Sequence, residues 1–179
     1  ITGTFDPVSG FPSNVQAYRY AANSTNQVTT QGASMGLSYY FSKYYQLSGN
    51  YSWNKLNKDF EDDPIIPAFN TPEHKYNLGF SGRDIPLKIG GMRLNEFGFN
   101  INYKWIDAFQ FEGSPQFTGF IPSYDLLDAQ INWRLRPLNT TIKLGASNLL
   151  DNRQFQAYGG PKIGRLAYLS LLYEWKKIN

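Results

Sequence analysis

The chain holds 179 residues, 17% aromatic and 17% charged, with no Cys, one His and a net charge of +3. The missing Cys excludes a disulfide framework, a thiolate metal site and a Cys nucleophile, and one His leaves little for His-based catalysis or for zinc. Mean hydropathy is −0.45 with no apolar run near the ~18 residues of a membrane-spanning helix, hydrophobics at 41% argue against disorder, and the Lys and Arg residues form no cluster suited to nucleic acid.

The chain opens Ile1-Thr2-Gly3, without an initiator Met, a basic segment or an apolar leader, so the expectation is a mature chain or a piece of a longer one. Asn14–Ala22 is a weak strand candidate. From Gly32 to Phe41 the residues alternate: Ala33, Met35, Leu37, Tyr39 and Phe41 against Gly32, Ser34, Gly36, Ser38 and Tyr40. The same period of two, the signature of a strand with two unlike faces, sets Tyr45, Leu47, Tyr51 and Trp53 against Gln46, Ser48, Asn50 and Asn54. It continues through Tyr76, Leu78 and Phe80, and through Phe97, Phe99, Ile101, Tyr103 and Trp105. Leu127 to Leu135, Ile142 to Ala146 and Ala167 to Trp175 repeat it. The pattern predicts about eight antiparallel strands and no helix.

The connections differ in length. Ser42–Tyr44 and Pro137–Asn139 are short, Asp84–Met92 is medium, and Lys55–Pro72, Asp107–Pro122 and Leu150–Lys162 are long. Short and long take turns, so one end of the sheet carries tight turns and the other long loops, as in a transmembrane β-barrel. A soluble β-sandwich alternates too. Against it stand segments of about ten residues, the length a tilted strand needs to cross a bilayer. Aromatics also gather at the two ends of the apolar stripe: Tyr39, Phe41 and Tyr45 at one, Trp53, Tyr76 and Trp105 at the other. The predicted fold class is therefore all-β, a transmembrane antiparallel barrel. Leu78, Phe80, Phe99, Ile101, Ile131, Leu144 and Leu169 are expected to face lipid, and Lys75, Lys104, Arg134 and Lys143 the lumen.

Several strings carry a more specific likeness. They include Phe69-Asn70-Thr71-Pro72-Glu73-His74-Lys75-Tyr76-Asn77, Phe111-Glu112-Gly113-Ser114-Pro115-Gln116-Phe117-Thr118-Gly119 and Tyr124-Asp125-Leu126-Leu127-Asp128-Ala129-Gln130. Next come Leu144-Gly145-Ala146-Ser147-Asn148-Leu149-Leu150-Asp151-Asn152, Tyr158-Gly159-Gly160-Pro161 and Gly164-Arg165 ahead of a strand ending Tyr173-Glu174-Trp175. In order and spacing these resemble the C-terminal barrel of TonB-dependent outer-membrane receptors in the style of Bacteroidetes.

The resemblance implies a 22-stranded barrel of which residues 1–179 supply about eight strands. The plug domain and TonB box would lie elsewhere in the receptor. It implies uptake of a scarce or bulky nutrient across the outer membrane of a Gram-negative cell. The implied partners are membrane lipid, the rest of the receptor chain and the TonB complex, with a surface lipoprotein as a further candidate; no cofactor is implied. Trp175 stands where such barrels end on an aromatic, although Lys176-Lys177-Ile178-Asn179 follow it here. The alternatives are a complete small eight-stranded barrel with a structural or adhesion role, or a receptor-like subunit of a larger surface complex.

Other signals are weaker. Gly32-Ala33-Ser34-Met35-Gly36 matches the nucleophile-elbow pattern, but that chemistry needs a strand-to-helix turn and a His base, so no enzyme is expected. Asp59, Glu61, Asp62 and Asp63 could offer oxygen ligands to Ca²⁺ but lack the spacing of a calcium loop; they read as a solvated loop. His74 beside Glu73 could donate to a metal, but a lone His at a strand start reads as polar capping or an interface residue. Phe109, Phe111, Phe117 and Phe120, with Tyr158 in the last long loop, are the candidate ligand-contact residues, since rings in loops can stack on a ligand; loop-on-loop packing is the competing role.

Overall fold

A computed structural model describes residues 2–9, 11–16, 28–58, 69–89, 92–113 and 117–175. Among the described residues there are eleven strands: β1 (Thr2–Phe5), β2 (Pro12–Gln16), β3 (Val28–Tyr40), β4 (Tyr45–Lys58), β5 (His74–Ile89), β6 (Met92–Ile106), β7 (Phe109–Phe111), β8 (Gly119–Ile121), β9 (Tyr124–Leu135), β10 (Thr140–Ser147) and β11 (Leu166–Tyr173). Seven form one antiparallel sheet in the order β11-β10-β9-β6-β5-β4-β3. The pairs β1–β2 and β7–β8 are separate hairpins. Of the weak Asn14–Ala22 candidate, β2 covers residues 14–16, and residues 17–22 lie outside the described residues.

The register shows how alternation in the sequence becomes two faces. One row crosses all seven strands as Tyr39, Leu47, Phe80, Ile101, Ala129, Ala146 and Ala167. The row beside it reads Tyr40, Gln46, Ser81, Asn100, Gln130, Gly145 and Tyr168. Successive residues of a strand point to opposite sides, so one face of the sheet is apolar and the other is amide, hydroxyl and glycine.

The apolar face is uncovered. Leu37 is 72% exposed, Leu78 52%, Leu144 51% and Leu169 66%. Among the described residues the buried hydrophobics are Ile85, Ile106, Ile121 and Tyr124. A sandwich would bury such a face against a second sheet; among the described residues the other strands form only two short hairpins. The strands β3, β4, β5, β6 and β9 run 13, 14, 16, 15 and 12 residues, enough for the ~9–11 that a tilted strand needs to span a bilayer.

Aromatics mark both edges of this face. Tyr76 stacks on Trp105 with centroids 5.3 Å apart, at the end from which the long connections leave. Phe41 stacks on Tyr45 at 5.6 Å and on Phe80 at 6.1 Å, beside the tight turn after β3. Bands of this kind sit at the two water interfaces of a membrane barrel.

Two features depart from the sequence reading. The Asp84–Met92 connection is not a loop: β5 runs on to Ile89 and β6 begins at Met92. The pairing breaks register between Gly82 and Ile85 and again before Leu87. Asp84 (φ 53°) and Glu96 (φ 63°) take left-handed backbone at this irregular stretch. Second, the Asp107–Pro122 connection holds the β7–β8 hairpin. The turn after β9 is a 3-10 turn over Arg136–Leu138, closed by Asn139 in left-handed geometry.

Among the described residues the sheet does not close on itself. β3 and β11 are its outer strands, and β1 and β2 pair with each other and not with β11.

Candidate ligand-contact surface at the long-loop end

In an antiparallel meander, alternate connections leave from the same end. The stretches between β4 and β5, β6 and β9, and β10 and β11 therefore share one end. The tight turns 41–44 and 136–139 share the other.

The middle connection is anchored by a small core. Ile106 ends β6, Tyr124 starts β9, and the two are paired. Together with the fully buried Ile121 they form a cluster against which Phe109, Phe111 and Leu126 pack. In the hairpin Phe109 faces Ile121, Gln110 faces Phe120 and Phe111 faces Gly119. Alternation therefore turns Phe109 and Phe111 inward and puts Gln110 and Phe120 on the other side. Phe120 is 63% exposed.

Phe117 and Tyr158 have a different role. A side chain added at Gly119 would run into the ring of Tyr158, and one added at Gly159 would run into the ring of Phe117. Each connection lays one ring on a glycine of the other. Gly159 also has φ +75°, which favours glycine. Of the five aromatic candidates, two pack on the core, two interlock the loops, and Phe120 is left facing outward.

The base of the last connection is a polar clasp. Asn148 is 6% exposed and left-handed, φ 49°. Its Nδ2 donates to the carbonyls of Asn152 (3.0 Å) and Ile163 (3.1 Å), and its Oδ1 accepts from the Asn152 N–H at 2.9 Å. Its own N–H donates to Asp128 at 2.8 Å, and Asn152 Nδ2 donates to the Asp125 carbonyl at 3.0 Å. Asp151 accepts from the Arg165 N–H at 2.8 Å and pairs with Arg153 at 3.2 Å. The Arg165 N–H, then Arg153, hold the Asp151 carboxyl below the usual carboxylate range. A side chain at Gly164 would stand 2.6 Å from Asp151 Oδ1. These contacts explain the Asn-Leu-Leu-Asp-Asn and Gly-Arg strings: one supplies the clasp, the other threads it.

A third tie runs to the first long connection. Asn70 Nδ2 donates to the Glu112 carbonyl at 2.9 Å, and the Glu112 N–H donates to Asn70 Oδ1 at 2.6 Å. Beside it lies a cleft of about 310 Å³ lined by Asn54, Lys55, Phe69, Glu73, Gln110 and Glu112. Asn54 Nδ2 is buried there with no hydrogen-bond partner among the described residues. Nothing in the sequence pattern singled out Asn54 for this cleft; it reads as one more polar position of β4.

The polar face carries an amide network. Asn77 Nδ2 donates to Asn50 Oδ1 at 2.7 Å, and Asn102 Nδ2 to Asn100 Oδ1 at 2.5 Å. The register puts Lys75, Lys104, Arg134 and Lys143 on this face, level with Ser52, Asn77, Thr141 and Asn132. Of the four, Arg134 forms ion pairs, with Glu174 at 2.6 Å and Glu96 at 3.8 Å. Arg136 hydrogen-bonds Glu96 as well.

The remaining sequence candidates sort quickly. Ser34 lies within β3 opposite Ser52, with no elbow and no helix after it. His74 Nδ1 shares a 2.7 Å hydrogen bond with the Tyr51 hydroxyl, and Glu73 accepts from Trp53 Nε1 at 3.2 Å. Asp59, Glu61, Asp62 and Asp63 lie outside the described residues. Among the described residues no three His, Asp or Glu side chains converge on a point that could hold a metal ion.

A single sheet with an apolar outer face, aromatic edges, a polar inner face and long loops at one end is a stretch of outer-membrane β-barrel wall. A family model described as TonB dependent receptor-like, beta-barrel, matches residues 1–149 of the 179, and the chain belongs to that family. The match ends within the Asn148–Asn152 clasp. No curated protein matches the chain. The family is one of outer-membrane transport receptors, which work with TonB and carry a plug domain in the full receptor.

Proposed function

We propose that residues 1–179 form wall and outer rim of a TonB-dependent transporter that takes up a scarce or bulky nutrient, in the Bacteroidetes style, with the plug and the TonB box in another part of the same receptor. The observation that carries this reading is the join of a long-stranded, lipid-suited sheet to an elaborated loop end, within a family of such receptors. The open β3 and β11 edges favour a larger barrel over a complete eight-stranded one, because an unpaired edge cannot face hydrocarbon. In this reading the long loops face outward from the cell. The tight turns face the periplasm. Phe120 and Gln110 are the ligand-contact pair of the hairpin, and Phe109, Phe111, Phe117 and Tyr158 hold them in place.

The chain has no Cys, so introduced thiols are unambiguous reporters within it. Phe120 and Leu138 are similarly exposed, 63% and 62%, at opposite ends of the sheet. In the full receptor, Phe120→Cys should react with an impermeant maleimide on intact cells, and Leu138→Cys only after permeabilisation. The reverse outcome overturns the orientation. Loss of nutrient uptake in Phe120→Ala, with normal surface labelling elsewhere, supports the ligand role.

A further inference from the structure

We propose that a notch over Gly49, on the apolar face, seats one acyl chain of a membrane phospholipid and holds it longer than the lipid that slides over the rest of the wall. This rests on the face meeting lipid, as the transporter reading has it. Gly49 lies in β4, with Leu37 of β3 on one side and Leu78 of β5 on the other. Side chains of one face recur every second residue, so Tyr51 and Leu47 flank Gly49 along its own strand. The missing side chain leaves a hollow of about 570 Å³ whose walls are almost wholly apolar, closed toward the turn end by Tyr39 and toward the loop end by Met35 and Tyr51. The Tyr51 wall is fixed. Its hydroxyl shares a 2.7 Å hydrogen bond with His74 Nδ1, and the two rings stack at 6.0 Å.

Other glycines of the sheet are covered by the protein's own side chains. On the same face, a Cβ at Gly82 would stand 2.5 Å from the Phe99 ring and 2.7 Å from Ile85. On the polar face, the Tyr168 ring fills the place beside Gly145. At Gly49 the nearest side-chain atom is Leu78 Cδ2 at 3.4 Å, an ordinary contact, and the hollow stays open. In hydrocarbon there is nothing to gain from burial alone, because lipid tails are as apolar as leucine; close contact is what counts. Lining atoms beside a void forfeit their dispersion partners. A chain laid in the hollow therefore touches protein on several sides, where a chain on a flush wall touches it on one. The level is right for a chain. Gly49 is four residues from Tyr45 and four from Trp53, roughly 13 Å of strand each way, midway between the aromatic ends of the stripe that mark the water interfaces. The hollow is one residue wide and admits one chain, which a two-chain phospholipid can lend while its headgroup stays at the interface.

The test uses the full receptor in liposomes doped with a phosphatidylethanolamine that carries a diazirine on one acyl chain; labelled peptides are mapped after illumination. Wild type is compared with Gly49→Leu, which fills the hollow. Gly49→Ala, whose added methyl meets only the 3.4 Å contact with Leu78, serves if the leucine variant fails to assemble, and heat-modifiable migration on a gel shows which barrels are intact. In the wild type, labelling at 47–51 and 76–78 should exceed that at 142–146, on the same face, by about threefold or more. Gly49→Leu should bring it down to the level of 142–146 and leave 142–146 unchanged, with Gly49→Ala between the two. Equal labelling of the two regions in the wild type, or an excess that Gly49→Leu does not remove, overturns the notch inference alone. Absence of label from both regions shows that the face does not meet lipid, and overturns the inference together with the reading beneath it. A second copy of the chain seated in the notch, seen as a wild-type dimer that Gly49→Leu makes monomeric and as wild-type label at 142–146 but not at 47–51, also overturns it.

Discussion

Tyr168 on β11 reaches across Gly145 on β10 to donate a 2.8 Å hydrogen bond to Gln130 on β9. The ring lies where a side chain of Gly145 would be, with Cζ and Oη 2.5 Å from that position. Glycine in a strand interior weakens it; here the bare backbone lets one side chain staple three strands on the polar face. Gly145→Val should displace the ring and destabilise the barrel by ~1–3 kcal/mol through overpacking. Tyr168→Phe keeps the ring and should cost only ~0.5–1.5 kcal/mol. Denaturant titration of the reconstituted receptor checks both, and a Gly145→Val cost no larger than that of Tyr168→Phe refutes the staple.

The two faces make opposite demands on one substitution. Leu144 lies mid-strand in the apolar row that joins Ile131 to Leu169. Asn100 lies one face over, between Ser81 and Gln130. Leu144→Arg should destabilise by ~2–4 kcal/mol, the cost of Arg near the bilayer midplane on a lipid face, while Asn100→Arg meets a wet wall and should be mild. Equal losses would mean that the face assignment is wrong.

The period of two is what made the faces legible in the sequence. Each of the strands β3, β4, β6, β9, β10 and β11 shows it over most of its length. It failed where backbone irregularity interrupts it. Gly82-Arg83-Asp84-Ile85-Pro86 has the composition of a turn, yet the chain continues as a strand and absorbs the break in two register shifts. The β7–β8 hairpin has three residues per strand, too few to show alternation. The aromatic cluster was visible as composition, but which ring packs and which faces out depends on register. The partners of Phe117 and Tyr158 are glycines far away in sequence, and no local pattern marks a glycine as a landing place for a ring.

Asp151 should make the last connection acid-sensitive. Its carboxyl is held below the usual range, first by the Arg165 N–H and then by Arg153. A group with a depressed folded pKa contributes stability above its unfolded pKa, and that contribution fades as pH falls through the folded value. The loop should therefore hold its order from neutral pH down to the ordinary carboxylate range, and loosen below it. Asp151→Asn keeps an acceptor for the Arg165 N–H but removes the titration. Limited proteolysis at 153–163 should rise on acidification in the wild type and stay flat in the variant. A wild-type response equal to that of the variant refutes the role of the carboxylate.

The open edges set what the seven-stranded sheet can do alone. β3 and β11 are each paired on one side, and β3 is 13 residues long. Its free backbone groups would meet hydrocarbon, where each unsatisfied group costs several kcal/mol. The apolar face adds a second penalty in water, because Leu37, Leu47, Leu169 and Leu171 are all more than half exposed and invite aggregation. Curling the sheet until β3 meets β11 would bring a 13-residue strand against one of 8 residues. Part of the β3 edge would stay unpaired even then. Residues 1–179 refolded alone into detergent or lipid vesicles should therefore give aggregate or unfolded chain, with no heat-modifiable monomer on a gel. If the transporter reading holds, co-refolding with the rest of the barrel should restore such a species. A heat-modifiable monomer formed by these residues alone would show that the edges can close, and would return the eight-stranded barrel as the better reading.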